Sequence, residues 1–440
     1  AVDVLDLATQ KNVATARGTS AHVSMIEPLV AKDGRPGIAT WWSAASTIAE
    51  DGSNAFIQPR AIVYRKSQRS ILVASEGTDA IVELDATMQD PTLGLIRTYS
   101  TLSDSDRIMG VAVQGGAPSG LALSEDEQTA YVYCRTTDEL AVVRLVEGDG
   151  YYETVPPRYV KLAEDPKDPM FAFGRKLFYN ATDYTVSGGL ACAGCHPEGR
   201  DDGYVWHEVE FSTERGQGRS KFTNFFGSAS AARHMDEFWK ETEPGASNVD
   251  KTGAGYARQT PMLAGRLKAK GPYGWLGENK DLPARLVAGF KLHRWSHAGI
   301  DENDSTTGAR MNHLSVFVRA GLAPPPMKKR DLSDQEKRGR EIFMSEGAAC
   351  SSCHAPETDY TNRSIAVIAG NVPRQAFVEE KNAAYKTPSL LFVGGSAPYF
   401  HDGRYETLEE LIEKNGDRMG KTSHLSPEDR KALVAFLRTL

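Results

Sequence analysis

The chain of 440 residues contains only five cysteines, no long hydrophobic run and no run of basic residues long enough to indicate nucleic-acid binding. No stretch approaches the ~18 consecutive apolar residues that a membrane helix requires, so the sequence predicts no membrane span. The formal net charge of −7 gives no support for nucleic-acid binding. Charged residues make up 25% and hydrophobic residues 40%, which is typical of a folded globular chain. At ~100–200 residues per domain, the length predicts two to four domains.

Four of the five cysteines form two Cys-x-x-Cys pairs, and a histidine follows each pair directly. The residues are Cys192, Cys195 and His196 in the first motif, and Cys350, Cys353 and His354 in the second. This spacing is the attachment signature of c-type haem: the thiols bind the porphyrin and the imidazole binds the iron. A thioredoxin-like redox pair would not require the histidine, and a zinc site would require four close ligands. The motifs therefore predict two covalent c-type haems.

Residues 1–150 alternate short apolar runs with turns rich in Gly, Asp and Ser, which predicts an all-β segment. A strand–turn–strand–turn–strand pattern starting at Ala61 recurs from Leu121, and it resembles the blades of a β-propeller. About 150 residues supply two or three blades of ~40–45 residues, whereas a ring requires at least four. The missing blades were lost, or a further chain supplies them, or the strands form an open sheet; we favour an incomplete propeller. Cys134 ends the apolar run TAYVYC and is predicted to be a buried, unreactive thiol.

A second repeat surrounds the two haem motifs. Its paired segments are GRKLF (174–178) with GREIF (339–343), QTPMLAG (259–265) with KTPSLLFVG (386–394), and GPYGWLGENKDL (271–282) with APYFHDGRYETL (397–408). The repeat predicts two mainly α domains of one plan, an N-terminal haem domain at 160–325 and a C-terminal haem domain at 328–440. Ser333 and Glu336 predict a capping box, and Ser426 begins the last helix. The predicted buried face of that helix comprises Leu433, Val434, Phe436, Leu437 and Leu440.

The tandem haem motifs and the segment TPSL…APYFHDGRYETLEELI resemble the bacterial di-haem cytochrome c peroxidase and MauG family over about residues 160–440. The resemblance implies class-I-like cytochrome c domains and a periplasmic location. It also implies a small cytochrome c or cupredoxin as electron donor and hydrogen peroxide as oxidant, or, in MauG-like members, oxidation of a partner protein. The N-terminus AVDVLDLATQKNV has no basic or apolar signal region, so we expect that any signal peptide has been removed.

The resemblance also assigns roles to single residues. His196 and His354 correspond to the proximal iron ligands, and Trp275 corresponds to a tryptophan between the haems, where it would relay electrons or simply fill an interdomain core. His401 corresponds to a histidine near the second haem and is expected to bond a propionate or the backbone. Ser396 and Pro398 occupy positions whose carbonyl groups help to hold calcium in the family, so Ca²⁺ is a further implied cofactor.

The second axial ligand of the C-terminal haem departs from the family pattern. Asn415 occupies the position of the family's methionine or tyrosine, and Met419 follows it where single-haem cytochromes c have their axial methionine. We predict that Met419 binds this iron, since a thioether raises the potential of a haem that receives electrons. His424 is the competing ligand, and otherwise it is a surface residue at a helix start.

The distal side of the N-terminal haem has several candidates. Alignment of HRWSHAGI (293–300) with DRMGKTSHL (417–425) places Trp295 opposite Met419, which predicts a haem without methionine. Peroxide cleavage requires a group that moves a proton between the two oxygens, and His293, His297 and Glu278 are the candidates. Either histidine could instead bind the iron permanently, and each candidate could be a solvated loop residue. His207, in VWHEVE, ranks lower because it lies close to the first haem motif.

Three functions are compatible with these residues. The leading hypothesis is a periplasmic di-haem oxidoreductase in which electrons enter at the C-terminal haem and reach the N-terminal haem, where hydrogen peroxide is reduced. The second is a non-catalytic electron carrier with both irons six-coordinate, docked to a partner through the β segment. The third is a MauG-like oxidase of a partner protein, and the absence of tyrosine at position 415 counts against it.

Overall fold

The chain forms two compact units, residues 1–194 with 293–317 and residues 195–292 with 318–440. The computed structural model describes residues 2–6, 11–16, 58–88, 94–102, 107–108, 111–147, 155–180, 191–203, 205–212, 220–224, 248–249, 256–293, 305–322, 324, 330–368, 384–401 and 403–440. Within these residues, no helix combines the length and the apolar character that crossing a membrane requires.

The first unit contains two four-stranded antiparallel sheets. Its strands are β1 (Val2–Asp6), β2 (Lys11–Ala16), β3 (Pro59–Arg65), β4 (Ser70–Ser75), β5 (Ala80–Asp85), β6 (Leu95–Ser100), β7 (Arg107–Ile108), β8 (Val111–Ala112), β9 (Pro118–Leu123), β10 (Thr129–Cys134), β11 (Glu139–Arg144) and β12 (Arg158–Lys161). Strands β3 to β6 form one sheet and β9 to β12 the other, and each strand pairs with the next along the chain. The predicted strands AIVELD and TAYVYC coincide with β5 and β10.

Alternation of side chains along these strands builds the core between the sheets. The core includes Leu72 and Ile81 from the first sheet and Val132 and Ala141 from the second, all fully buried. Cys134 is buried in the same core, which confirms that prediction. Burial raises the pKa of its thiol to about 12, so the residue behaves as a small apolar side chain.

One carboxylate is buried in the first sheet, and it is fully compensated. Glu83 pairs with Arg65 at 3.1 Å, and it accepts hydrogen bonds from Ser70 Oγ at 2.6 Å and Tyr99 Oη at 2.9 Å. Arg65 also donates to the carbonyl oxygen of Val146 at 2.7 Å. A buried charge is tolerated only with such partners, so this network ties the sheet to the chain segment that follows β11.

The first unit also contains a pair of crossed helices. Helix α1 (Pro169–Tyr179) begins after Asp168, whose carboxylate accepts a hydrogen bond from the Met170 backbone N–H. The partner of α1 is α4 (Ser305–Ala320). Two other helices lie between them along the chain: the short helical turn α2 (Cys192–Cys195) and α3 (Leu282–His293), which belongs to the second unit except for its last residue. Helix α1 crosses α4 at Gly174, where a Cβ atom would overlap the backbone carbonyl of His313. The glycine therefore allows the two backbones to touch.

The second unit repeats this helix pair at its C-terminal end. Its α-helices are α3, except for the last residue, α5 (Asp334–Met344), α6 (Leu408–Lys414) and α7 (Pro427–Leu437). Its strands are β13 (Val205–Ser212), β14 (Ser220–Asn224), β15 (Asn248–Val249), β16 (Tyr256–Gln259), β17 (Ile365–Val367) and β18 (Ala384–Lys386). Helix α5 crosses α7 at Gly339, where a Cβ atom would overlap the carbonyl of Ala432. The predicted capping box of Ser333 and Glu336 is present, and the predicted buried face of α7 is buried.

The two crossings match residue for residue. Gly174 and Gly339 occupy the same place in GRKLF and GREIF, and four residues later Phe178 and Phe343 pack against a phenylalanine of the crossing helix. The ring centroids lie 5.4 Å apart both for Phe178 with Phe317 and for Phe343 with Phe436. The internal repeat that the sequence predicts is therefore present in the structure as two equivalent helix pairs. In each pair, the Cys-x-x-Cys-His motif lies between the two helices along the chain.

Candidate haem centres

The second Cys-x-x-Cys-His motif is a tight turn that follows α5. Residues Cys350–Ser352 form one turn of 3₁₀ helix, and the backbone N–H of His354 donates to the carbonyl oxygen of Cys350 at 3.0 Å. The backbone N–H of Asn362 donates to the carbonyl oxygen of Cys353 at 2.7 Å. These hydrogen bonds fix the histidine directly after the two thiols, as covalent attachment and iron ligation by one segment require.

The hydrogen bond of His354 determines its tautomer. Nδ1 lies 3.1 Å from the carbonyl oxygen of Tyr360, and since a carbonyl can only accept, Nδ1 carries the proton. Nε2 then keeps its lone pair. Burial lowers the pKa of His354, which favours the neutral imidazole that ligates a metal. Both properties fit a proximal haem ligand.

The chain near Met419 runs beside this turn. The backbone N–H of Lys421 donates to the carbonyl oxygen of Ala348 at 2.8 Å, and a Cβ atom on Gly420 would lie 3.0 Å from Cys350 Sγ. Met419 itself is half-buried, whereas His424 is exposed. Met419 thus lies next to residues that contact the haem motif, and a Cβ atom on Gly347, just before that motif, would lie 3.7 Å from His424 Nε2.

The first motif places His196 in a similar environment. Its carbonyl oxygen accepts a hydrogen bond from the Gly199 backbone N–H at 2.9 Å, which closes the turn Pro197–Gly199. Gly199 in turn accepts hydrogen bonds from the backbone N–H groups of Leu263 and Ala264, both at 2.8 Å. Burial lowers the pKa of His196 to about 4, so this imidazole is also neutral and fits a proximal ligand.

The thiols differ from those of redox or zinc sites. Burial raises the pKa of Cys192 to about 12 and that of Cys350 to about 11, whereas reactive and zinc-binding cysteines are thiolates. Among the residues that the structure describes, no cluster of three or more His, Cys, Asp or Glu side chains could hold a metal ion. The Cys, Cys and His donors of each motif fit covalent haem attachment.

Two equivalent turns follow the haem motifs in the second unit. Tyr273 pairs with Asn279 in the first turn, and Tyr399 pairs with Tyr405 in the second, in each case by isolated antiparallel bridges. This equivalence aligns Trp275, two residues after Tyr273, with His401, two residues after Tyr399. The duplication thus reaches beyond the helices into the loops that carry two of the predicted site residues.

The two turns exchange reciprocal backbone hydrogen bonds. The N–H of Gln259, directly before Thr260, donates to the carbonyl oxygen of His401 at 2.7 Å. The N–H of Lys386, directly before Thr387, donates to the carbonyl oxygen of Trp275 at 3.0 Å. Each repeat therefore binds the other through the same position, an arrangement with local twofold character.

An aromatic cluster lies at this junction. The Trp275 ring is half-buried, its Nε1 donates to the Gln259 carbonyl oxygen at 3.1 Å, and its centroid lies 6.5 Å from that of His401. The His401 imidazole is 3% exposed and stacks on the ring of Tyr385 at 4.0 Å, and Nε2 lies 3.0 Å from Tyr385 Oη. The structure thus brings Trp275 and His401 together. No sequence motif marked Tyr385, although its position directly before KTPSL could have drawn attention to it.

The remaining candidates are less concentrated. Ser396 is buried and donates to Asp201 Oδ2 at 2.7 Å, while Pro398 is half-buried. Glu278 is exposed and pairs with Arg285 at 3.1 Å. Trp295 and His297 lie outside the described residues, and of His293 and His207 only the backbone is described, at the end of α3 and within β13.

Comparison with known proteins gives three informative relatives. The chain is 35% identical over 150 residues to methylamine utilization protein MauG of Methylorubrum extorquens, a match to 29% of this chain and 42% of that protein. It is 22% identical over 333 residues to hydrazine synthase subunit gamma of Kuenenia stuttgartiensis, across 65% of this chain and 82% of that protein. It is 21% identical over 314 residues to cytochrome c551 peroxidase of Nitrosomonas europaea, across 65% of this chain and 84% of that protein.

Solved structures and family models add less. A MauG-like protein associated with microbial copper homeostasis is 19% identical, with a TM-score of 0.40 over 67% of this chain and 95% of that chain, which is too distant to support an argument. No family model matches the sequence. The chain spans less than half the length of the MauG relative, whereas it covers most of the peroxidase. These relatives, together with the two Cys-x-x-Cys-His motifs, support a haem oxidoreductase that is similar to the di-haem cytochrome c peroxidases and MauG.

Proposed function

We propose that the chain is a periplasmic di-haem c peroxidase that reduces hydrogen peroxide with electrons from a small cytochrome c or cupredoxin. Electrons enter at the C-terminal haem domain and pass Trp275 to the N-terminal haem domain, where peroxide is reduced. Covalent haem would supply reversible one-electron chemistry at each centre. Cys192, Cys195 and His196 would hold one haem, and Cys350, Cys353, His354 and Met419 the other.

The duplicated frame around the two motifs is the observation that carries this proposal. Each motif is accompanied by a helix crossing at glycine, a Thr-Pro segment and a Pro-Tyr turn, which supports two cytochrome c domains of one plan, at 160–325 and 328–440. The reciprocal hydrogen bonds at the junction place Trp275 on the segment that links the two repeats. An indole at that position is suited to relay an electron between them.

Glu278, His293 and His297 are the candidates for moving the peroxide proton, and Trp295 is a further candidate for the distal side of the haem. The Glu278 carboxylate forms an ion pair with Arg285 that keeps it close to its turn. We also propose Ca²⁺ near Ser396 and Pro398, where the Ser396–Asp201 hydrogen bond brings a carboxylate to the family's position. Calcium titration of chelator-treated protein, followed by thermal unfolding, tests that proposal.

The β segment at 1–150 is proposed to be an incomplete propeller. Its two four-stranded meanders have the size and pairing of propeller blades, and a further chain would complete the ring. Sedimentation of the purified chain, alone and mixed with the other proteins of its native extract, would detect such a partner. A stable monomer in the native extract would contradict this part of the proposal.

The decisive experiment measures spin state and turnover together. The purified holoprotein is studied by optical and EPR spectroscopy in the oxidised, half-reduced and reduced states, and peroxide is added in the presence of reduced cytochrome c. We expect a mass increase of two haems, a high-spin ferric haem in at least one state, and peroxide-dependent donor oxidation. Two low-spin haems in every state without turnover would contradict the peroxidase and favour the electron carrier.

The 35% identity to MauG favours one second candidate, a MauG-like oxidase acting on a partner protein. Asn415 counts against it, because MauG-like members have a tyrosine ligand at that position. Its signature would be peroxide consumption that accelerates with a protein substrate and leaves a covalent change in that substrate. Mass spectrometry of co-purified periplasmic proteins after peroxide treatment distinguishes it from the peroxidase.

A further inference from the structure

The pair formed by Tyr385 and His401 has a chemical capacity that the proposed electron route does not use. Both side chains are buried, at 5% and 3% exposure, and the phenol oxygen lies 3.0 Å from His401 Nε2. The imidazole and the Trp275 indole form a T-shaped pair, with ring centroids 6.5 Å apart. The geometry points to Tyr385 as a proton-coupled electron donor to Trp275, with His401 as the proton acceptor.

The direction of the hydrogen bond follows from ordinary acidities. A phenol has a pKa near ~10 and an imidazole near ~6.5, so the shared proton resides on the tyrosine oxygen and Nε2 accepts it. A neutral phenol surrenders an electron readily only if its proton leaves at the same time, because an oxidised phenol is a strong acid. Nε2 of His401 provides that acceptor at hydrogen-bond distance, inside the protein core.

The step balances once a one-electron oxidant has removed an electron from Trp275. Trp275, oxidised by one electron to its radical cation, takes one electron from Tyr385, and the phenol proton moves to His401 Nε2. The products are neutral Trp275, a neutral tyrosyl radical and a His401 imidazolium, so the total charge of +1 is unchanged. The inference rests on the proposed relay function of Trp275, and the one-electron oxidant is the peroxide-oxidised haem centre.

The backbone supports this role with a short connection. Tyr385 directly precedes Lys386, whose N–H donates to the Trp275 carbonyl oxygen at 3.0 Å, and it stacks on the imidazole that contacts the indole. Tyr385 is thus connected to Trp275 by the backbone hydrogen bond of the next residue and by ring contacts through His401. A purely structural tyrosine would stabilise this junction but would not take part in electron transfer.

The test generates the oxidant independently of peroxide. A light flash generates photo-oxidised ruthenium tris-bipyridine in a mixture with the ferric holoprotein. The radicals are trapped by freeze-quenching and detected by EPR, and ring-deuterated tyrosine or tryptophan in the protein identifies the residue type that carries them. We expect a tyrosyl signal that is lost in Tyr385→Phe, together with a longer-lived Trp275 radical in that variant. His401→Gln, which keeps a hydrogen-bond acceptor but not a base, should also lose the tyrosyl signal. In the wild type, the decay of the tryptophan radical should slow in D₂O.

The controls separate this inference from the proposed function. Tyr131→Phe removes an exposed phenol and should leave the buried tyrosyl signal intact. If peroxide yields neither turnover nor a radical but the photo-oxidant yields the Tyr385 radical, the inference stands and the peroxidase proposal fails. Equal lifetimes of the Trp275 radical in the wild type and in Tyr385→Phe, without a solvent isotope effect, would overturn the inference whatever peroxide does. Haem absorbance and far-UV circular dichroism check that each variant is folded.

Discussion

Asn415 illustrates how one buried side chain can organise a loop. It is 1% exposed; its Nδ2 donates to Thr422 Oγ1 at 2.7 Å, and its Oδ1 accepts from the Met419 backbone N–H at 3.2 Å. Thr422 Oγ1 donates onward to the Ile412 carbonyl oxygen at 2.9 Å. The amide is therefore occupied in closing the loop from 415 to 422, which agrees with a ligand supplied from position 419.

Met419→Ala tests that assignment. Loss of the thioether should lower the midpoint potential of the C-terminal haem, within the ~0.8 V range that axial ligands span, and should slow reduction by the donor. Spectroelectrochemical titration measures the potential. Met344→Ala, which removes a methionine that is 49% exposed at the end of α5, is the matched control and should leave it unchanged. An unaltered potential in Met419→Ala together with a lowered one in His424→Ala would transfer the ligand to His424.

Tyr99→Phe tests the buried network around Glu83. Tyr99 Oη donates to Glu83 and accepts from the Val146 backbone N–H at 3.1 Å, and burial, with the Glu83 charge, raises its pKa to about 12. Removing the hydroxyl leaves both groups without this partner, so we expect a loss of about 1–3 kcal/mol in the free energy of unfolding. Denaturant titration measures it. Tyr64→Phe, at an exposed position on β3, should change it little, and equal effects of the two substitutions would contradict the prediction.

Single residues could be predicted from the sequence wherever chemistry fixes their spacing. The two cysteine motifs require Cys, Cys and His at fixed positions, so those six residues are evident without a structure. Tyr385 is different: its importance depends on contact with His401, 16 residues away, and no local pattern encodes that contact. Likewise, the Arg65–Glu83 pair joins two strands, and each residue alone would be interpreted as exposed.

Helix α5 shows how an element depends on its first turn. Ser333 Oγ accepts from the Glu336 backbone N–H, and the Glu336 carboxylate accepts from the Ser333 backbone N–H at 2.7 Å. Arg330 pairs with the same carboxylate. Two hydrogen bonds lower the pKa of Glu336 to about 2: the larger effect comes from the Arg330 side chain and the next from the Ser333 backbone N–H. Caps of this kind are readable from sequence because they are local, and this one was predicted correctly.

The pH dependence of stability should report this cap. Since the folded pKa of Glu336 lies below its ordinary 4.5, the unfolded chain binds the extra proton, and the stabilisation is present above about pH 4.5 and lost as the pH falls towards 2. Glu336→Gln keeps an acceptor but removes the charge, so the fall in unfolding free energy across that window should be shallower. Urea titrations between pH 2 and 5 measure it. Glu341→Gln, at an exposed position of the same helix, is the control, and identical slopes for the two variants would contradict the assignment.

At the scale of the whole molecule, the duplication explains more than any single element. The helix crossings, the Thr-Pro segments and the Pro-Tyr turns recur in the same order, and the turns exchange hydrogen bonds from equivalent positions. The sequence repeat predicted the shared plan, because it preserves Gly174 and Gly339 in GRKLF and GREIF. It could not predict that Gln259 and Lys386 would bind each other's repeat, because backbone hydrogen bonds leave no mark on residue identity.

If the repeats are equivalent, the same substitution should act alike in both. Gly174→Ala and Gly339→Ala each force a methyl group onto the carbonyl of a crossing helix, so each should lower the free energy of unfolding by about 1–3 kcal/mol or more. Hydrogen exchange should quicken in α1 for the first variant and in α5 for the second, since distant sites act independently.

Gly308→Ala provides the matched control, because it changes a glycine of α4 with open space around the added methyl group. This helical substitution should be neutral or should stabilise the protein by up to ~1 kcal/mol, since alanine favours helix more than glycine does. Together, the three variants separate backbone crowding at the crossings from helix propensity alone. If Gly174→Ala were tolerated as well as Gly308→Ala while Gly339→Ala was not, the close crossing would be essential only beside the C-terminal haem motif, and the two halves would not be equivalent in energy.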